Sequence, residues 1–159
     1  MHHTEYMPYP EQLIRIMRDD LTQHGVAEAR TPEQLDQALA PDSGTVLVIV
    51  NSVCGCAAGK ARPAVGMALG HPARPTKAIT VFAGGDVEAT EHLRQHHLAG
   101  FPPSSPSMAL FENGKPVFYL HRHEIETRQA PEIAQVLTGA FDKFCKSRNA
   151  TAAHPASVV

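Results

Sequence analysis

The sequence predicts an α/β domain in which a central mixed β-sheet is flanked by helices, with an extra helix at its N-terminal end. Three stretches carry that prediction. Residues 45–50, Thr-Val-Leu-Val-Ile-Val, form a β-branched run with no polar alternation after Thr45, the pattern of a central strand covered on both faces. Ala57, Ala61, Val65, Ala68 and Leu69 then recur at helical spacing, with Gly70 as a stop. Further on, Asn113-Gly114 separates two apolar runs, the strongest short-range signal of a β-hairpin.

Taken in order, Pro10 opens a first helix in which Leu13, Ile14, Met17 and Leu21 share an apolar face, and Gly25 closes it. Residues 26–30 form a short edge strand. Thr31-Pro32-Glu33-Gln34 has an N-cap threonine, a proline at the first helical position and a glutamine three residues on, a capping-box pattern for a short helix through Leu39. Asp42-Ser43-Gly44 turns the chain into the central strand. Pro63 falls inside the helix after Cys56, where its ring should clash with the Gly59 carbonyl and bend the axis. After a proline-rich connection, residues 78–82 form a second interior strand and residues 83–86 a turn. Residues 87–98 form a more polar helix, with Val87, Leu93 and Leu98 as its large apolar residues. A proline- and serine-rich loop, 99–106, leads to the hairpin strands around 108–111 and 117–120. A last helix over 131–145 presents Ile133, Val136, Leu137, Ala140, Phe141 and Phe144, with Cys145 continuing that side as a core thiol. The domain spans residues 1–147, and the small, polar residues 148–159 read as a disordered tail. A βαβ unit followed by a ββα unit is the thioredoxin-like plan.

The totals narrow the function. At 159 residues the chain fits one domain able to bury about 70% of its unfolded surface. Lys and Arg number 14 against 16 Asp and Glu, and no basic cluster with interleaved aromatics occurs, so nucleic acid is not an expected partner. The apolar run 46–50 is far short of the roughly 20 residues of a membrane span, which predicts no membrane association. Residues 1–6 have neither a basic n-region nor an apolar h-region, so the expected location is the cytoplasm. Two of the three cysteines are one residue apart, unlike the spread, even framework of a secreted disulfide scaffold. The pair reads as redox-active or metal-binding.

Cys54-Gly55-Cys56 falls where the central strand becomes a helix. Unpaired N–H groups and the helix dipole there favour an anion, so a cysteine at that point is expected to ionise below its usual pKa. Gly55, without Cβ, lets the chain fold tightly enough for the two thiols to bridge. A bridge so short is strained, and strained disulfides have higher potentials suited to exchange. The alternative is a pair of buried, inert thiols in a structural or scaffold protein.

On these residues the sequence resembles the bacilliredoxin family, thioredoxin-like proteins in which Cys-Gly-Cys replaces the usual Cys-x-x-Cys. The matching segments are residues 50–59, Val-Asn-Ser-Val-Cys-Gly-Cys-Ala-Ala-Gly, together with Ala61-Arg62-Pro63-Ala64, residues 80–84, residues 103–110 (Pro-Ser-Ser-Pro-Ser-Met-Ala-Leu) and residues 122–126. The resemblance implies that Cys54 attacks a mixed disulfide between a client protein and bacillithiol, a low-molecular-weight thiol. Cys56 would then resolve the bacillithiol left on Cys54. No resident cofactor is implied, and bacillithiol would be a co-substrate in a host that makes it. Weak protein disulfide isomerase activity, with the same cysteines, is the second activity the resemblance implies. Pro106 matches the position where thioredoxin-like folds carry a cis-proline, which would expose the backbone of Ser105 to an extended substrate. Gly55, Ser105 and Pro106 are the expected substrate-binding residues. Pro106 also reads as a strand-entry proline.

A reading from another class is a metal-binding module built from Cys54, Cys56, His121 and His123. Spacing argues against it, because structural zinc sites use C-x₂₋₄-C and H-x₃₋₅-H, whereas each pair here has one intervening residue, and His123 is placed at the far end of the hairpin strand. His92 and His96 have the i, i+4 spacing that could share a metal, but no third ligand accompanies them in sequence. The expected site has no metal.

Overall fold

The structure is a computed structural model that describes residues 8–146. The tail expected beyond Ser147 lies outside the described residues. Helix α1 (Glu11–Thr22), strand β1 (Ala27–Glu28) and helix α2 (Pro32–Ala38) precede strand β2 (Thr45–Asn51). A π-helical turn (Ala57–Ala61) runs into α3 (Arg62–Ala68), then β3 (Lys77–Phe82), α4 (Val87–His92) and a second π-helical turn (Leu93–His97). The chain ends in β4 (Ser107–Glu112), β5 (Lys115–Leu120), α5 (Arg122–Glu126) and α6 (Ala130–Phe144). The five strands form one sheet in the order β1-β3-β2-β4-β5. β1 and β2 run parallel to β3, whereas β4 is antiparallel to both β2 and β5, so the sheet is mixed.

The unbroken apolar run of β2 is explained by its two covered faces. Leu47 and Ile49 point into a core shared with Ala61, Ala64, Val65 and Ala68 around α3 and with Ile133, Leu137 and Phe141 of α6. Val46, Val48 and Val50 point the other way, onto Leu35 of α2 and onto Ala89 and Leu93 of the α4 helix and its π turn. β4 alternates in the same sense, with Met108 and Leu110 in the first core and Ala109 and Phe111 in the second. The hairpin is as expected: Asn113 (φ 50) and Gly114 (φ 83) both take the left-handed backbone that a two-residue primed turn requires. A Cβ on Gly114 would stand 2.6 Å from the Leu39 carbonyl oxygen, so glycine is needed there for space as well. Thr31 caps α2 by accepting the Gln34 N–H at 3.2 Å, but the Gln34 side chain accepts the N–H of Arg30, one residue before the cap.

Four expectations need correction. On α1 the buried face is Ile14, Arg18 and Leu21, while Leu13 is exposed and Met17 only half-buried. Arg18 takes the place of an apolar residue because the buried Asp86 carboxylate lies beneath the helix and accepts Nη1 and Nη2 at 2.9 and 3.0 Å. The bend expected at Pro63 takes the form of the π turn just before it, where the Arg62 N–H reaches back five residues to the Ala57 carbonyl. The polar helix after β3 also widens into a π turn, with the Leu98 N–H on the Leu93 carbonyl at 2.8 Å. Finally, α5 was not anticipated; His121 is its N-cap and His123 lies within it, not on the hairpin strand.

Candidate active site

Asn51, the last residue of β2, sets up the thiol loop. Its Oδ1 accepts the Ser52 N–H at 2.8 Å and its Nδ2 donates to the Met17 carbonyl of α1 at 3.1 Å. Ser52 Oγ then accepts the Cys54 N–H at 3.3 Å. Helical structure starts at Gly55, and the Cys54 carbonyl accepts the N–H groups of Ala57 and Ala58 at 3.0 and 3.2 Å, so Cys54 stands at the helix mouth as expected.

Both cysteines are half-buried thiols. Cys54 Sγ accepts the backbone N–H of Cys56 at 3.2 Å. Burial opposes ionisation of Cys54, but the Cys56 N–H, the Cys56 thiol, the Ala57 N–H and the positive charge of Arg122 together outweigh it, and its pKa falls below the ordinary value. Cys56 is pushed up by burial, by its thiol's hydrogen bond to Cys54, by the charge of Cys54 and by Glu126, against the opposing pull of Arg122. The pair is therefore electrostatically polarised, with ionisation directed to Cys54.

Gly55 is exposed, and a Cβ built on it would meet nothing within 4 Å. In this thiol form its glycine character is required by neither packing nor a left-handed backbone. Ser105–Pro106 is cis, as expected, with Pro106 buried and Ser105 half-buried. What sequence reasoning missed is the α5 helix between these two loops. Arg122 Nη1 donates to the Ser105 carbonyl at 3.1 Å, its Nε donates to Glu126 Oε2 at 3.3 Å, and its backbone N–H donates to Ser104 Oγ at 3.1 Å. Glu126 Oε2 in turn lies 3.9 Å from Cys56 Sγ, and Lys60 Nζ donates to the Glu126 carbonyl at 2.6 Å. The only signal for this bridge was the Arg122–Glu126 segment of the family resemblance, which carried no role with it.

The Cys54, Cys56, His121 and His123 set does not converge: among the described residues, these four are not a group whose ligand atoms lie close enough to share an ion. His121 instead caps α5 through its backbone, its carbonyl accepting the Glu124 N–H at 3.0 Å and its N–H donating to Glu124 Oε1 at 3.2 Å, and His123 is held near Glu126.

Residues 9–145 match the family model described as Disulphide isomerase. A bacilliredoxin of Salinibacter ruber is 51% identical over 141 residues, covering 87% of this chain and 82% of that protein. One from Koribacter versatilis is 47% identical over 137 residues, covering 86% of this chain and 94% of that protein. The chain belongs to the bacilliredoxin family. A bacilliredoxin of Halalkalibacterium halodurans, 44% identical, extends the match to 92% of this chain and 99% of its own. Solved structures give the fold: one with a thioredoxin fold has a TM-score of 0.56 at 15% identity and covers 71% of this chain and 94% of its own. The thioredoxin of Malassezia sympodialis has a TM-score of 0.52 at 16% identity, covering 75% and 90%. With this family and fold, the chain is a thiol–disulfide oxidoreductase.

Proposed function

We propose that this bacilliredoxin-family chain removes bacillithiol from mixed disulfides on client proteins, with Cys54 as nucleophile and Cys56 as resolving thiol. The observation that carries the assignment of roles is the hydrogen bond from the Cys56 N–H to Cys54 Sγ, which favours thiolate on Cys54 while the thiol of Cys56 stays protonated. In the first step the Cys54 thiolate attacks the bacillithiol sulfur; the client leaves as a thiolate and takes up a proton, and bacillithiol is now disulfide-bonded to Cys54. Cys56 then ionises and attacks Cys54 Sγ, expelling bacillithiol as a thiolate and forming the Cys54–Cys56 disulfide. The client has gained two electrons and the cysteine pair has lost them, so turnover needs an external dithiol or two equivalents of monothiol. Gly55 leaves the approach to Cys54 open, and Ser105 and Pro106 border the path a client segment would take, with Arg122 between that loop and the thiols. Among the described residues no helix is long and apolar enough to cross a membrane.

Intact mass of the Cys56→Ser chain after mixing with a bacillithiolated client tests this. Bacillithiol retained on Cys54 together with free client thiol is the expected result. Transfer from a glutathionylated client at equal or greater rate would displace bacillithiol as the preferred thiol. Release from Cys54 without added thiol, as fast as in the parent, would remove Cys56 as resolver. The Disulphide isomerase family model supports a second reading in which the same thiolate attacks a client's own disulfide. Recovery of a scrambled-disulfide client in the absence of any small thiol would favour it.

A further inference from the structure

On the face of the sheet covered by α2 and α4, Asp36 Oδ1 accepts from two imidazoles at once, His92 Nε2 at 2.8 Å and His97 Nε2 at 2.8 Å. The three potential ligand atoms all lie within 4.8 Å of one another, the only such group among the described residues. The sequence pairs His92 with His96 at α-helical spacing. In an α-helix, residues five apart are separated by roughly 140° around the axis, too far round to share a ligand. The π turn over Leu93–His97 changes that register, and His97 joins His92 on the side facing α2. His96 instead lies tilted against His92, with ring centroids 4.4 Å apart and planes at 37°, and His97 meets Phe111 edge-on.

We propose that Asp36, His92 and His97 form a binding site for a divalent transition-metal ion of the zinc type. Two imidazoles and a carboxylate suit zinc and its borderline neighbours and not calcium or magnesium, which take oxygen ligands. Three protein ligands leave a fourth tetrahedral position for water or an outside ligand, and the site is placed to supply one: the Asp36 side chain is 56% exposed, those of His92 and His97 21% and 14%. Seating the ion requires each imidazole to present an unprotonated Nε2, with its ring proton on Nδ1, and the three ligand atoms to readjust around the ion to zinc–ligand bonds of roughly 2.0–2.2 Å. The ion would pin α2 to the π turn that leads into the loop before Pro106, where Arg94 Nη2 donates to the Ser104 carbonyl at 3.3 Å. This site is separate from the paired thiols and does not depend on the redox reading.

The test uses the untagged full chain with Cys54, Cys56 and Cys145 replaced by Ser, so that no thiolate can take the metal. Zinc is titrated in competition with a chromophoric chelator, and cobalt(II) is added to a second sample for its absorption spectrum. The expected result is one equivalent bound, with a cobalt spectrum showing d–d bands and no thiolate charge transfer. His92→Gln, His97→Gln and Asp36→Asn should each weaken binding by more than the roughly 10-fold that even an outer-shell partner is worth, and His96→Gln should leave it unchanged. The zinc-dependent rise in Tm should disappear with the same three substitutions, while circular dichroism shows each variant folded. Absence of stoichiometric zinc binding would overturn the proposal. So would binding that survives His97→Gln but is lost in His96→Gln, the outcome expected of an α-helical His92–His96 pair.

Discussion

Cys54 Sγ accepts the backbone N–H of Cys56 at 3.2 Å, so the second cysteine stabilises the first one's thiolate through its main chain while its own thiol is held protonated by burial and by the neighbouring charge. One intervening residue places that N–H at the sulfur. The same spacing that permits a short disulfide therefore also sets the order in which the two thiols ionise.

The first prediction is an ordered ionisation. The rate of alkylation at Cys54 should inflect below the about 8.5 of an ordinary cysteine and that at Cys56 above it. Below the Cys54 inflection both are protonated and slow, between the two inflections Cys54 is selectively modified, and above both the selectivity fades. Peptide mapping after brief alkylation across this range measures it. Faster labelling of Cys56 at neutral pH would reverse the assignment.

Arg122 is predicted to act on Cys54 through charge. Its substitution by Gln should raise the Cys54 inflection and lower the alkylation rate at neutral pH, and the difference from the parent should shrink in high salt because the guanidinium is solvent-exposed. Arg122→Lys should restore part of the inflection, since the charge returns, but should not restore affinity for a client. Lysine cannot hold the Ser105 carbonyl and Glu126 at once as the planar guanidinium does. An unchanged inflection in Arg122→Gln would leave Arg122 a purely structural tie between α5 and the loop.

Arg18 and Asp86 make a prediction about stability. Both side chains are buried, and Asp86 also accepts the Phe82 N–H at 3.0 Å and Arg30 Nε at 2.7 Å. Asp86→Ala leaves the Arg18 guanidinium buried with only Glu11 and Glu28 nearby, and breaking such a pair costs about 3–5 kcal/mol. Adding Arg18→Met should recover part of that loss, because methionine replaces the stranded charge with apolar volume. Urea midpoints of the three variants decide it; a double variant less stable than Asp86→Ala alone would mean that Arg18 is held mainly by the other carboxylates.

These residues also show what the sequence could and could not disclose. The sheet, its hairpin and the placing of Cys54 at a helix mouth were legible because each is dictated locally, by β-branched runs, by Asn113-Gly114 and by the strand-to-helix change at Gly55. Arg18 was not, because apolar periodicity has no means of registering a buried carboxylate arriving from residue 86. The π turns were hidden for a related reason: Pro63 signalled a disturbance without its form, and nothing in Leu93–His97 marks the widened register. Helix α5 spans only Arg122–Glu126, too short for a periodic pattern, yet it carries the arginine and the glutamate that stand over the thiols.

Glu126 gives the last prediction, and it concerns the resolving step. Its Oε2 lies 3.9 Å from Cys56 Sγ, and its negative charge is among the causes that raise the Cys56 pKa, after burial and the neighbouring Cys54. Glu126→Gln keeps the shape and removes the charge, so Cys56 should ionise at lower pH. Below the Cys56 pKa each unit of lowering raises its thiolate fraction about tenfold, the equivalent of 1.36 kcal/mol. Nucleophilicity falls more slowly than that as a thiol becomes more acidic. The net expectation is faster release of a small thiol preloaded on Cys54, followed by rapid quench at fixed pH, with the advantage lost once the pH exceeds the Cys56 pKa in both proteins. First attack by Cys54 is measured separately with a model mixed disulfide, because Arg122 loses its Glu126 partner in the same variant and is freed to face the thiolate. If release is slower in Glu126→Gln across the whole range while Cys54 attacks at an unchanged rate, the carboxylate takes the Cys56 proton during resolution, and its role is that of a base and not of a charge that restrains the second thiol.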